Sequence, residues 1–189
     1  MPIRISFNLD DADLRHFEAK AQQTQANARL QPAEATIAAA RAVLNSAAQA
    51  QLADFVRERF ARLRTMIEMA TDPEWTLAAE DQQRLLNALA CFGTEAAATD
   101  ATVGFLDHAI MVELVSRDLE HDLAAYRDFC RLRESQTRRV RPGANPEAQR
   151  QEWLQQNRES LQKRMHDRRR RTLDRAGSSV RRLFSLFGL

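Results

Sequence analysis

The chain has 189 residues, of which 44% are apolar and 29% charged, with only five glycines and five prolines. That is enough for one compact domain with an appendage, and its two distant cysteines, Cys91 and Cys130, make neither a secreted disulfide framework nor a Cys/His metal spacing. The formal net charge of +2 hides an asymmetry: residues 1–130 carry 12 Lys and Arg against 20 Asp and Glu, whereas residues 131–189 carry 16 against 6.

Ala, Leu, Gln, Glu and Arg dominate and β-branched residues are few, so the predicted class is all-α, a bundle of about five helices with a basic C-terminal helical extension. Ile3, Ile5, Phe7 and Leu9 alternate with polar residues and suggest a short extended segment. Asn8 or Asp10 then caps a helix to about residue 29, with Leu14, Phe17 and Ala21 on one face. Pro32 opens a second helix to about residue 49. From residue 51 to 71, Leu52, Phe55, Val56, Phe60, Leu63, Met66, Ile67 and Ala70 recur every three or four positions, with Arg57, Arg59, Arg62 and Arg64 mostly opposite. Asp72-Pro73 ends that helix. Thr76 is the expected cap of a fourth, carrying Leu77, Leu85, Leu86, Leu89 and Phe92, and Gly93 its stop.

Residues 93–104 read as a small-residue loop, followed by one long helix from about Phe105 to Arg133. Pro142-Gly143 and Asn145-Pro146 mark a hinge over 135–146, which separates an acidic bundle (1–134) from a basic tail (147–189). The helix predicted from about 146 to 175 has a thin apolar stripe, Trp153, Leu154, Leu161, Met165 and Leu173, too sparse to predict stable packing along its length. Gly177-Ser178-Ser179 then precedes a short terminal segment.

The stretch Gly104-Phe105-Leu106-Asp107-His108-Ala109 resembles the YkvA-like family, a bacterial domain of unknown function whose helix opens with Gly-aromatic-Leu-Asp-Asp-Ala. Gly104, Phe105, Leu106, Asp107 and Ala109 match. His108 stands at the second Asp, and the family's loop prolines are missing. The resemblance implies a small helical core over about 50–133, sometimes membrane-associated, with no established activity.

No nucleophile elbow, P-loop, zinc-protease or dinucleotide fingerprint occurs, and no cofactor is implied. The nearest polar cluster is Asp100, Asp107, His108 and Glu113. A carboxylate/imidazole set suits a divalent metal or acid–base work, but adjacent helical residues splay about 100° apart and Glu113 shares neither face. Capping and the helix dipole account for the acids near the helix start. Asp118, His121 and Asp122 share a face at i, i+3 and i+4, and read as a solvated charged surface within reach of Arg117 and Arg127. His16 and His166 have no partner evident in the sequence.

The basic tail is the stronger signal. Arg168, Arg169, Arg170, Arg171, Arg175, Arg181 and Arg182 precede or flank Leu183, Phe184 and Phe187, a basic amphipathic pattern suited to an interface. Near an anionic leaflet each Arg contributes up to about 1 kcal/mol, and each buried apolar side chain roughly 1 kcal/mol or more. Self-docking onto the acidic body through exposed pairs is worth only about 0–1 kcal/mol apiece. The expected partner is therefore an anionic membrane surface or an acidic protein. Nucleic acid is the alternative, and a metal-dependent enzyme centred on Asp100–Glu113 the second. With no apolar leader and no run of about 20 apolar residues, the expected location is cytoplasmic, at the inner face of the membrane where it binds there.

Overall fold

A computed structural model describes residues 10–28, 32–92, 101–137 and 146–175. It comprises seven helices: α1 (Asp11–Ala28), α2 (Ala33–Ala48), α3 (Asp54–Thr71), α4 (Ala79–Ala90), α5 (Ala101–Asp118), α6 (Glu120–Thr137) and α7 (Pro146–Arg175). There is no strand among the described residues. The all-α bundle is as expected, with more helices than five. The period-two segment at Ile3–Leu9, the stop at Gly93, residues 138–145 of the expected hinge and the terminal segment after Arg175 lie outside the described residues, while 135–137 belong to α6 and Pro146 opens α7.

Asp10 caps α1: its Oδ1 accepts from the backbone N–H of Ala12 (2.7 Å) and Asp13 (2.9 Å), while Asp13 reaches back to the N–H of Asp10 (3.1 Å). This reciprocal box satisfies N–H groups that a helix start otherwise leaves open. Pro32 sits at the N-cap of α2 rather than at its first helical position, its carbonyl accepting from Ala35 and Thr36. Thr76 does not cap α4. The N-cap is Ala78, and the Thr76 hydroxyl turns back to the carbonyl of Pro73.

Helix α3 is the axis of the bundle and packs on α2, α4, α5 and α6. Its predicted stripe is the buried face, with Val56, Phe60, Leu63, Met66, Ile67 and Met69 enclosed. Trp75, in the turn between α3 and α4, is 1% exposed and lies edge-on to Tyr126 and close to Phe129 of α6, at 5.7 and 5.1 Å between ring centres. A connection residue is therefore a core residue, because the turn folds its indole under α6.

The long fifth helix is two helices. α5 begins at Ala101, inside the expected small-residue loop, and gives way to α6 at Leu119. Backbone bonds continue across the step, from Leu119 N–H to the Val115 carbonyl and from Leu123 N–H to that of Leu119. The carbonyl of Asp118, however, accepts from Arg84 Nη2 on α4 at 3.0 Å. A side chain inserted into the i to i−4 ladder is a known cause of helix breaks.

The largest correction concerns α7. It lies along α6, and Leu154, Leu161 and Met165 belong to the same apolar core as α3 and α4, with Trp153 packed against it. Over 146–175 the tail is a wall of the bundle, not an appendage. The sparse stripe suffices because polar side chains fasten the remaining length. Arg150 Nη2 donates to Glu74 (2.8 Å), Arg158 Nη1 to the Glu74 carbonyl and the Thr76 hydroxyl, and Gln162 to the Thr76 carbonyl (2.8 Å). Glu74 and Asp72 also hold Arg133 of α6, at 2.9 and 2.7 Å, and Tyr126 donates to Asp72 at 3.1 Å. The α3–α4 turn is thus an anionic anchor for α6 and α7 together.

Candidate functional site

Two charged regions stand out, one buried and one exposed, and both involve α7. The buried one lies where α4, α6 and α7 meet. Asp81 and Arg84 fall on the inner face of α4 among Leu85, Ala88 and Leu89, and are 4% and 2% exposed. Asp122 of α6 is 3% exposed, and Arg169 of α7 is 7%. Arg169 bridges the two acids, Nη1 to Asp81 Oδ1 at 2.9 Å and Nη2 to Asp122 Oδ1 at 2.6 Å. Arg84 Nη1 approaches the same Asp122 oxygen at 3.4 Å, and His166 Nε2 lies 2.7 Å from Asp81 Oδ2.

Burial sets the electrostatics here. It acts on Asp81 to raise its pKa, but His166 and Arg169 outweigh it and hold the carboxyl below its usual value. On Asp122 burial wins against the pull of Arg84 and Arg169, and the net direction is upward. Asp118, with Oδ2 enclosed, is pushed up to about 7 by burial despite Arg84. Burial also lowers Arg84 from the ordinary guanidinium value. Each charge needs its partners, since an ion withdrawn from water costs several kcal/mol unless paired.

The reading of Asp118, His121 and Asp122 as one solvated face is therefore corrected. Asp122 points inward, and its partners are Arg84 and Arg169 rather than Arg117 and Arg127. His121 contacts Thr172 of α7 at 2.8 Å. His166, with no partner evident along the chain, has Asp81. A signal for this junction was present: Asp81 and Arg84 share the register of Leu85 and Ala88, and Arg169 continues Leu154, Leu161 and Met165. A charge in a core register asks for an opposite charge from another element, and the sequence does not name that element.

The Asp100–Glu113 cluster is dispersed. Asp100 lies outside the described residues. Glu113 is engaged by three arginines, Arg59 (3.1 Å), Arg62 (2.9 Å) and Arg117 (3.3 Å), two of them from α3. His108 is 9% exposed and stacks on Phe92 at 6.2 Å, Ala109 is fully buried, and Phe105 meets Phe60 edge-on at 5.8 Å. Leu106 and Asp107 are half-buried. Phe105 and His108 therefore pack α5 onto α3 and onto Phe92, just past the end of α4. Among the described residues no group of three or more His, Cys, Asp or Glu is placed to hold a metal ion.

The exposed region is the outer face of α7. Of the four consecutive arginines 168–171, only Arg169 turns inward. Arg168, Arg170 and Arg171 are exposed, with Lys163 and Arg164 a turn or two before them. None of the ion pairs among the described residues involves Arg168, Arg170 or Arg171. Arg181, Arg182, Leu183, Phe184 and Phe187 lie outside the described residues. No described helix is long and apolar enough to cross a membrane. No family model matches the chain, and no curated protein or solved structure matches it either.

Proposed function

We propose that the protein is a helical binding module, not an enzyme, that attaches peripherally to an anionic membrane surface through the outer face of α7 and the basic, Leu/Phe-bearing segment that follows in sequence. The observation that carries this reading is the division of the arginine run: Arg169 is spent on the bundle, while Arg168, Arg170 and Arg171 stay exposed without an ion pair. A helix fastened along its length presents those guanidiniums with little further ordering cost. Each contributes up to about 1 kcal/mol near an anionic leaflet.

The membrane is favoured over nucleic acid because Leu183, Phe184 and Phe187 have no use on a phosphate backbone but add apolar area at a lipid interface. Kinship with the YkvA-like family, through Gly104–Ala109, belongs to the same proposal, since that resemblance implies a module sometimes found at membranes.

Vesicle co-sedimentation tests the reading. The full-length protein is expected to pellet with anionic vesicles and not with neutral ones, and salt should release it. Joint replacement R168Q/R170Q/R171Q should weaken binding by roughly tenfold or more without lowering Tm, given up to about 1 kcal/mol per charge. Equal binding to neutral and anionic vesicles, or full binding after removal of 176–189, overturns it.

A further inference from the structure

The exposed bases of α7 do not share one face. At about 3.6 residues per turn, Lys163 and Arg170 fall on the line that points straight away from the bundle, opposite the buried Leu161 and Met165. Glu152, Glu159, Asp167 and Asp174 lie along that same outward line and are exposed as well. Carboxylates outnumber bases there, so the outward line carries no positive surplus.

Arg164, Arg168 and Arg171 follow one another at i, i+4 and i+7 and are exposed on a different flank, within about 10 Å of helix. That flank turns towards α6, since Arg164 and Arg168 border the seam with His121 and Asp128. Continued towards the N-terminus it carries Ser160, Asn157 and the half-buried Trp153, and no acidic residue of α7 falls in its register. Across the seam, Arg131 shares the Asp128 carboxylate at 3.5 Å. Arg127 and Arg131 balance Glu120 and Asp128 on the open side of α6, so the positive surplus of this side comes from α7.

We infer that an anionic lipid surface meets the protein on its α6–α7 side, along the flank of Arg164, Arg168 and Arg171, and not along the outward line of Lys163 and Arg170. The inference rests on the membrane reading and names the side of the molecule that carries it. On this flank the headgroups meet three guanidiniums with no α7 carboxylate among them. The outward line would instead press Glu159, Asp167 and Asp174 against charge of their own sign. Trp153, on the favoured flank, is of a residue type enriched where membrane meets water. The flank is also held in place, because Leu161, Met165 and Arg169 fasten the same stretch of α7 to the bundle.

The test uses the full-length protein and vesicles of phosphatidylcholine, alone or mixed with phosphatidylglycerol. R164Q/R168Q and K163Q/R170Q remove the same charge from the two sides of the helix. Both should keep the wild-type Tm, since all four side chains are exposed. R164Q/R168Q should weaken binding to the mixed vesicles by roughly tenfold or more, and K163Q/R170Q by less than about threefold. Equal losses, or a larger loss in K163Q/R170Q, overturn the α6-side face while membrane attachment stands. Loss in neither variant also overturns it, and leaves attachment to residues 176–189. A wild-type protein that does not prefer the mixed vesicles overturns both the face and the membrane reading.

Discussion

Arg169 of α7 donates through Nη2 to Asp122 of α6 at 2.6 Å, with both side chains more than nine-tenths enclosed. Its other terminal nitrogen holds Asp81 of α4 at 2.9 Å. One guanidinium therefore joins three helices that are distant in the chain. The arrangement need not stabilise the fold more than an apolar triad of the same shape would, since desolvation offsets the attraction. It does make the charges interdependent. R169Q would leave Asp81 and Asp122 enclosed and poorly compensated, and is expected to lower unfolding free energy by about 3–5 kcal/mol in urea titrations. R170Q, one residue along and exposed, should change it by less than about 0.5 kcal/mol. Similar values for the two variants would contradict the geometry.

Removal of α7 gives a second, independent outcome. Leu154, Leu161 and Met165 are 6%, 3% and 1% exposed. At about 1.5–3 kcal/mol per enclosed side chain, their loss approaches the whole 5–15 kcal/mol stability of a typical domain. A fragment of residues 1–137 should therefore bind a hydrophobic dye and melt without a sharp transition. A cooperative fragment with the Tm of the full-length chain would return α7 to the status of an appendage.

Asp118 links stability to pH. Burial pushes its pKa from 3.8 up to about 7, so the folded state holds the proton more tightly than the unfolded state. Its contribution is fully present below the unfolded value and is lost as pH rises through the folded one. The slope over that window is up to about 1.4 kcal/mol per pH unit. Asp81 is shifted downward, and its contribution is lost instead on acidification. Chemical denaturation from pH 4 to 8 should show that D118N makes the decline between 4 and 7 shallower, with the share of Asp122, also shifted upward by burial, left in place, and that the variant is more stable than wild type at pH 8. Parallel profiles would refute the assignment.

Thiol reactivity reports on the core. Cys91 is 5% exposed and burial pushes its pKa up to about 12. At pH 8 almost none is thiolate, the reactive form. Cys130 is less enclosed, with a pKa also raised chiefly by burial. Alkylation of native protein followed by mass spectrometry should modify Cys130 first and Cys91 only on unfolding. Early modification of Cys91 would show that α4 does not sit where it is described.

Much of the bundle was legible in the chain. The apolar stripe of α3, the proline stop at Asp72-Pro73 and the Asp10 cap follow from rules that act within a turn or two of helix. The break at Leu119 was not: there Arg84 of α4, more than thirty residues away in the chain, donates to the carbonyl of Asp118. Nor was the inward turn of Asp122, which along the chain shares a face with His121 and Asp118.

The sequence by itself determined the helices, the charge asymmetry and the basic run of α7, since propensity, periodicity and composition are local properties. Only the tertiary structure decided which charges went inside. An enclosed ion survives where another element supplies its counter-charge, and that pairing of Asp81 and Asp122 with Arg84, His166 and Arg169 exists only once α4, α6 and α7 meet. The same meeting made α7 part of the core, and it left Arg168, Arg170 and Arg171 facing outward.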